Sequence, residues 1–100
     1  MSVVATILEG QVAPERASHL RAAYSDAAAG PFPPGLLSSS LLRSASDPNV
    51  WRIQTYWASD DDLKRMRTAG KPRGVQIFEA ANAAPVLSIF EVVDQLAPPD

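Results

Sequence analysis

The sequence predicts an α+β fold of the ferredoxin-like, split β-α-β type, with four antiparallel strands and helices on one face of the sheet. The order strand, helix, strand, strand, helix, strand is the main observation behind this prediction. The chain has 100 residues, which suits one domain, and we expect residues 1–100 to form it. Hydrophobic residues make up 46% of the chain and charged residues 20%, so enough apolar surface is available to offset the entropy of ordering.

The first strand and the first helix have clear local signals. Residues 2–9 are rich in β-branched side chains and are followed by Gly10, which predicts a strand that stops at a flexible residue. Pro14 suits the first turn of a helix, and Glu15 complements the positive end of its dipole. An apolar stripe at helical spacing then runs to about Gly30, formed by Ala17, Leu20, Tyr24 and Ala27.

A stiff loop and a β-hairpin are predicted next. Residues 31–35 contain three prolines and cannot continue a helix, because proline lacks an amide hydrogen. Residues 36–44 and 50–58 have the composition of strands, and residues 46–49 between them are typical of a tight turn. The two strands are therefore predicted to pair directly.

The second helical region begins at Ser59, whose hydroxyl can cap free amides of a first turn. We interpret the carboxylates at 60–62 as part of this helix start, at the positive end of the dipole, and not as a metal site. After a loop around Gly70, a second short helical stretch runs to about Asn82. Residues 86–93 form the last predicted strand.

The second face of the predicted sheet has no helices to cover it. The first, second and last strands carry apolar residues on both sides. We therefore expect this face to pack against an identical subunit and form a two-fold homodimer.

Composition excludes several classes of protein. The formal charge of −2 argues against nucleic acid, which needs clustered cations, and the absence of cysteine excludes disulfides, thiolate catalysis and cysteine-based metal sites. The N-terminus has no signal-peptide pattern and no apolar run is long enough to span a membrane, so we expect a cytoplasmic location and no membrane partner. One basic cluster is interpreted as a solvated helix end in preference to a phosphate site: Lys64, Arg65, Arg67, Lys71 and Arg73.

The third predicted strand alternates between an apolar and a polar face. The face that we expect to meet the helices consists of Trp51, Ile53, Thr55 and Trp57, and the other of Arg52, Gln54 and Tyr56. Trp57 leaves the strand at the rim of the space between sheet and helices. Its ring either packs in the core or walls a pocket there.

Five short segments resemble the antibiotic biosynthesis monooxygenase family in order and spacing. They are Gly-Leu-Leu at 35–37, Leu-Leu-Arg-Ser at 41–44, Asp-Pro at 47–48, Tyr-Trp-Ala-Ser at 56–59 and Ala-Pro at 84–85. The resemblance implies a ferredoxin-like fold, a dimeric α/β barrel, and oxygenation of small aromatic compounds without flavin or metal. Such chemistry requires a pocket that binds the ring, favours its deprotonated form and excludes water.

Few residues of this sequence match the functional positions of the family. Only Trp57 matches a functional position of the family directly. Some quinol-oxidising members use a side-chain amide elsewhere on the same face, and this chain has Ile53 at the nearest candidate position. Haem-degrading relatives use an asparagine on the first strand and a histidine in the second helical region, where this chain has Thr6 and no histidine. The single histidine, His19, lies in the first predicted helix, so we do not expect haem ligation.

Trp57 and His19 are the candidate catalytic residues: Trp57 matches a functional position of the family, and histidine is the residue type most often used as a general acid or base. An arginine could instead assist ionisation of a phenol. The candidate substrate-binding residues are Trp57, Tyr24, Phe78, Phe90, Arg43 and Arg52. Each has a purely structural alternative: core packing for the aromatic residues, solvent exposure for His19 and the arginines.

Two classes of function follow. The first is a cofactor-independent monooxygenase that oxidises a small electron-rich aromatic compound. The second is a non-catalytic dimer that binds a small apolar ligand or serves as a scaffold. An isomerase of the same broad fold would need a paired acid and base, which the sequence does not show.

Overall fold

Four strands and three helices follow one another in the predicted order. The structure is a computed structural model that describes residues 3–96, so residues 1–2 and 97–100 of the predicted domain, Ser2 of the predicted first strand among them, lie outside the described residues. The elements are β1 (Val4–Gln11), α1 (Ala17–Ala28), β2 (Leu36–Arg43), β3 (Val50–Trp57), α2 (Asp60–Thr68), α3 (Arg73–Glu79) and β4 (Val86–Glu91). A single 3-10 turn, Pro14–Arg16, leads into α1. Within residues 3–96, no helix has the length and apolar character that crossing a membrane requires.

The four strands form one antiparallel sheet in the order β2-β3-β1-β4. Leu8 of β1 lies opposite Ile53 of β3 on one side and Leu87 of β4 on the other. The central strands are therefore β1 and β3, and the edges are β2 and β4. This topology confirms the ferredoxin-like fold class.

Gly10 corrects one predicted boundary, since β1 continues through it to Gln11. A side chain at this position would place its Cβ 3.2 Å from the ring of Phe78. The glycine is thus a point of close packing within the strand and not its end. The last strand is also shorter than predicted, because β4 ends at Glu91.

The start of α2 is held by a hydrogen-bonded cap, as the sequence predicts. The Ser59 hydroxyl accepts from the Asp62 backbone amide at 3.2 Å and donates to the Asp62 carboxylate at 2.9 Å. Arg65, one turn later, forms an ion pair with the same carboxylate. The hydrogen bond from Ser59, followed by that from Arg65, lowers the pKa of Asp62 below its ordinary value of 3.8.

The helices cover one face of the sheet, and the apolar side of β3 is buried beneath them. The four side chains of that side are at most 8% exposed: Trp51, Ile53, Thr55 and Trp57. The buried core has two parts. The larger one includes Leu8, Leu20, Ile53 and Phe78, and the smaller one consists of Val4, Trp57 and Leu63.

The opposite, outer face of the sheet is mixed in character. Arg52 donates to Glu9 at 2.7 Å across β3 and β1. Three large apolar side chains are exposed on this face, Leu42 at 42%, Val86 at 71% and Phe90 at 55%. Phe90 is therefore not a core residue of the chain, because the register of β4 directs it away from the helices.

We predict that Asp62→Asn destabilises the fold in a pH-dependent way. The pKa of Asp62 is lowered in the folded state, so its carboxylate stabilises the fold fully above the ordinary carboxyl pKa, and this contribution is lost as the pH falls through the lower folded-state value. The difference in urea midpoint between wild type and variant should be constant from neutral pH to about pH 4 and shrink below it.

Asp61→Asn is the matched control, because Asp61 is an exposed residue of the same first turn. An equal loss in both variants, or a gap that does not change down to pH 2, would show that the Ser59 and Arg65 contacts are not the cause.

Candidate functional site

A cavity of about 980 Å³ lies between the helix-covered face of the sheet and the three helices. Its volume falls in the range of small-molecule sites. The sheet contributes its floor, which includes Thr6, Leu8, Ile53, Thr55 and Trp57. Residues 32–34 of the proline-rich loop border it on one side and residues 69–76, which include the start of α3, on another.

Trp57 is fixed in this wall by a hydrogen bond as well as by packing. Its ring Nε1 donates to the Thr6 hydroxyl of β1 at 3.2 Å, and the side chain is 3% exposed. Val4 lies directly opposite Trp57 in the strand pair, so the indole reaches diagonally along β1 to Thr6. The ring has one orientation and presents an apolar surface to the cavity.

A row of hydroxyl side chains crosses the sheet between the two parts of the core. Thr6, Thr55 and Ser39 lie side by side on β1, β3 and β2. Apolar rows flank them, Val4 and Trp57 on one side, Leu8 and Ile53 on the other. All three hydroxyl residues line the cavity. The row therefore gives an otherwise apolar chamber a polar band.

Ser39 is the centre of this hydroxyl row. Its oxygen accepts from the Tyr24 hydroxyl at 3.1 Å and from the Thr55 hydroxyl at 3.2 Å. Thr6 likewise accepts from Trp57. Within residues 3–96, neither Ser39 nor Thr6 donates its own hydroxyl proton to another side chain or to the backbone. Both can donate to an oxygen atom of a ligand.

The place of Ser39 depends on a β-bulge. Leu36 pairs with Trp57 and Ser38 with Tyr56, so Leu37 is an extra residue in β2. Simple alternation from Leu36 would direct Ser38 towards the helices, whereas the bulge directs Ser39 there. Ser39 is not among the site residues predicted from the sequence. Three consecutive serines in mid-strand indicate hydroxyl groups on the sheet, but the pattern does not show which of them faces the cavity.

Trp57 and Tyr24 are the two predicted site residues that the structure brings together, since both line the cavity. His19 is exposed on α1, and Phe78 is fully buried in the larger part of the core. Neither lines the cavity.

Arg43, Arg52 and Phe90 also lie elsewhere. The guanidinium of Arg43 stacks 5.5 Å from the ring centroid of Trp51. Arg52 and Phe90 are on the outer face of the sheet. Of the predicted site residues, the cavity lining therefore includes the aromatic Trp57 and Tyr24 but not the candidates His19, Arg43 and Arg52.

The family model of the antibiotic biosynthesis monooxygenases matches residues 3–71, more than two thirds of the chain. The chain belongs to this family. The matched segment includes β1, the hydroxyl row, Trp57 and α2. No curated protein matches the chain in sequence.

Solved structures of antibiotic biosynthesis monooxygenases and their relatives share the fold. A proposed family member from Caulobacter crescentus is 24% identical, with a TM-score of 0.73 and coverage of 93% of this chain and 92% of that one. A mutant of SnoaB, a cofactor-independent oxygenase from Streptomyces nogalater, is 18% identical, with a TM-score of 0.74 and coverage of 98% and 100%. A haem-degrading protein from Mycobacterium tuberculosis is 23% identical, with a TM-score of 0.73 and coverage of 97% and 98%.

The cavity residues of the present chain do not suit a haem iron. Its one histidine, His19, lies outside the cavity lining on the exposed side of α1. Over residues 3–96 there is also no group of three or more histidine, cysteine, aspartate or glutamate side chains that could hold a metal ion. The cavity lining among residues 3–96 therefore offers no histidine that could ligate a haem iron.

We predict measurable coupling between Tyr24 and Ser39. In a double-mutant cycle on the free energy of unfolding, Tyr24→Phe and Ser39→Ala should couple by about 0.5–1 kcal/mol, the net worth of one hydrogen bond between neutral groups. Ser40→Ala is the control partner, because Ser40 pairs with Gln54 on the outer face. Coupling to Ser40 in place of Ser39 would show that the bulge is wrongly placed.

Proposed function

We propose that this chain is a cofactor-independent monooxygenase that oxidises a small electron-rich aromatic compound of the quinol or phenol type. The observation that carries the proposal is a cavity large enough for an aromatic ring, walled by Trp57 and crossed by a band of hydroxyl groups. Family membership and the fold shared with a cofactor-independent oxygenase support it.

The proposed chemistry uses the electrons of the substrate. A phenolate passes an electron to molecular oxygen, and the two radicals combine to form a carbon–oxygen bond. One oxygen atom stays on the ring carbon, the other leaves as water with two hydrogens of the substrate, and the ring becomes a quinone. The protein needs to bind the ring, favour its ionised form and exclude water from the intermediates.

The cavity residues suit the first two of these tasks. Trp57, Ile53 and Leu63 offer apolar contacts to a ring. Ser39 and Thr6 can each donate a hydrogen bond to a ring oxygen, and such donors stabilise a phenolate more than a phenol. Tyr24 and Thr55 act through Ser39 as positioning residues, since both donate to its oxygen.

A binding protein without catalytic activity is the second candidate function. Ile53 lines the cavity, and it is the candidate position nearest to the polarising amide that the family resemblance implies for quinol-oxidising members. An apolar residue there suits retention of a small apolar ligand. A pure scaffold is less well supported, because it has no need of a ring-sized cavity beside the proline-rich loop.

Oxygen uptake with a panel of hydroquinones distinguishes these candidates. The wild type should consume oxygen faster than buffer with at least one compound, and Trp57→Phe and Ser39→Ala should each lower this rate about tenfold or more, as expected when an aligning contact or a donor to an oxyanion is removed. Trp51→Phe is the matched control, because Trp51 is buried in the same strand but does not line the cavity. Rates equal to buffer with every hydroquinone would leave the binding protein as the better reading.

We also propose that the chain forms a homodimer through the outer face of its sheet. Leu42, Val86 and Phe90 are exposed there and would be buried by a two-fold partner. Light scattering at micromolar concentration should give a mass near twice the 10.7 kDa of one chain. Phe90→Glu should reduce the mass to that of one chain, whereas Ala22→Glu on the exposed surface of α1 should not. A single-chain mass for the wild type contradicts the proposal.

A further inference from the structure

Basic side chains are concentrated at the cavity. The chain has nine lysine and arginine residues and eleven acidic ones, with a formal charge of −2. Among residues 3–96, four of these cations line the cavity, whereas one acidic residue, Asp62, does so. We call the four cations the basic rim: Arg65, Arg67, Lys71 and Arg73. The local charge is therefore opposite in sign to that of the whole chain.

Two cations of the basic rim are already neutralised. Arg65 forms its ion pair with Asp62. Lys71 donates to both carboxylate oxygens of Glu79, at 2.9 and 3.0 Å. These pairs leave little charge for a ligand.

The other two cations have no acidic partner among residues 3–96. Arg73 donates to the backbone carbonyl of Pro31 at 2.7 Å, a neutral acceptor that orients the guanidinium but does not cancel its charge. The side chain of Arg67 makes no hydrogen bond or ion pair with any other residue in 3–96. Two uncompensated guanidinium groups therefore border a cavity whose floor is apolar and hydroxylic.

The interpretation of the basic cluster as a solvated helix end fits one of its members, Lys64. Lys64 pairs with Asp60 at 2.9 Å along α2, does not line the cavity, and has its pKa raised chiefly by the hydrogen bond to that carboxylate. Arg67 and Arg73 differ from Lys64 because neither has an acidic partner among residues 3–96 and both line the cavity. The loop between α2 and α3 brings them to the same opening although they belong to different helices.

We propose that the cavity takes an anionic aromatic compound, whose negatively charged substituent binds Arg67 and Arg73 while its ring lies against Trp57. This inference rests on the proposed function for the aromatic part of the ligand. The planar guanidinium matches the geometry of a carboxylate, and its hydrogen bonds to an anion are stronger than those to a neutral acceptor. On a chain of net negative charge, the basic rim is also where an anion is drawn in.

Anchoring at the rim has a consequence for the chemistry. An anion held there leaves the aromatic ring free to extend into the cavity towards the hydroxyl row. A neutral ring has no comparable anchor and can take several orientations in a space of about 980 Å³. The basic rim would thus select the substrate and also reduce the number of its orientations.

Gentisate and gentisamide test the proposal, because they share a hydroquinone ring and differ only in a carboxylate against a carboxamide. Binding to the full chain is measured by calorimetry under nitrogen, so that no oxidation occurs. At low salt gentisate should bind about tenfold more tightly, since an ion pair at a protein surface is worth more than one in bulk water. Raising the salt from about 20 mM to about 500 mM should remove most of the preference.

Arg67→Gln is the main variant, because the Arg67 side chain has no hydrogen bond or ion pair within residues 3–96 that the substitution would remove. It should bind gentisate more weakly, by about three- to tenfold, and gentisamide unchanged. Arg73→Gln should act in the same direction, with its urea midpoint checked because it also loses the bond to Pro31. Arg21→Gln, on the exposed side of α1 and outside the cavity, should leave both affinities unchanged.

Equal affinity for the two compounds, binding of neither, or a preference that survives Arg67→Gln and Arg73→Gln together would overturn the anionic assignment. Oxygen uptake separates this result from a failure of the proposed function. If neutral hydroquinones are oxidised as fast as gentisate, the monooxygenase stands and the anion site falls. If gentisate binds with the predicted charge dependence but no hydroquinone is oxidised, the anion site stands and the monooxygenase falls.

Discussion

The two-sided alternation of β3 is the constraint on which the cavity depends. One side of this strand is buried under the helices and the other carries Arg52, Gln54 and Tyr56. A shift of register by one residue would exchange the two sides and bring a guanidinium into the core, which is strongly unfavourable. The register is thereby fixed, and with it the diagonal bond from Trp57 to Thr6. Every polar group of the cavity floor is placed relative to this strand.

The core of the protein is divided by polar side chains, and this division is what makes a chamber possible. Hydroxyl groups in an apolar interior need partners, and Thr55 and Tyr24 find theirs in Ser39. Ser39 nevertheless remains exposed although it faces the helices, because the cavity separates them from this part of β2. Space, a fixed indole and hydroxyl donors therefore occur together. In the proposed reaction, these features would bind the ring and favour its ionised form.

The loop before β2 adjoins both the cap of α2 and the cavity. Gly35 has φ of +87°, and a Cβ at this position would overlap the Asp62 side chain, so the position requires glycine. Asp62 is held in turn by Ser59 and Arg65. On the far side of the opening, Arg73 bonds to Pro31 of the same loop. The proline-rich segment is thus anchored to both helices that carry the basic rim.

Local patterns in the sequence determined the order of the elements, the Ser59 cap, the alternation of β3 and the inward position of Tyr24. These features depend on neighbours within a few residues, through hydrogen bonds and side-chain periodicity, so the sequence alone shows them. Tertiary structure decided the rest. The bulge at Leu37 selected Ser39, the register of β4 sent Phe90 outward, and packing against Phe78 kept Gly10 inside its strand. Arg67 and Arg73 belong to one basic cluster of the sequence, but only the structure shows that both line the cavity and that neither has an acidic partner among residues 3–96.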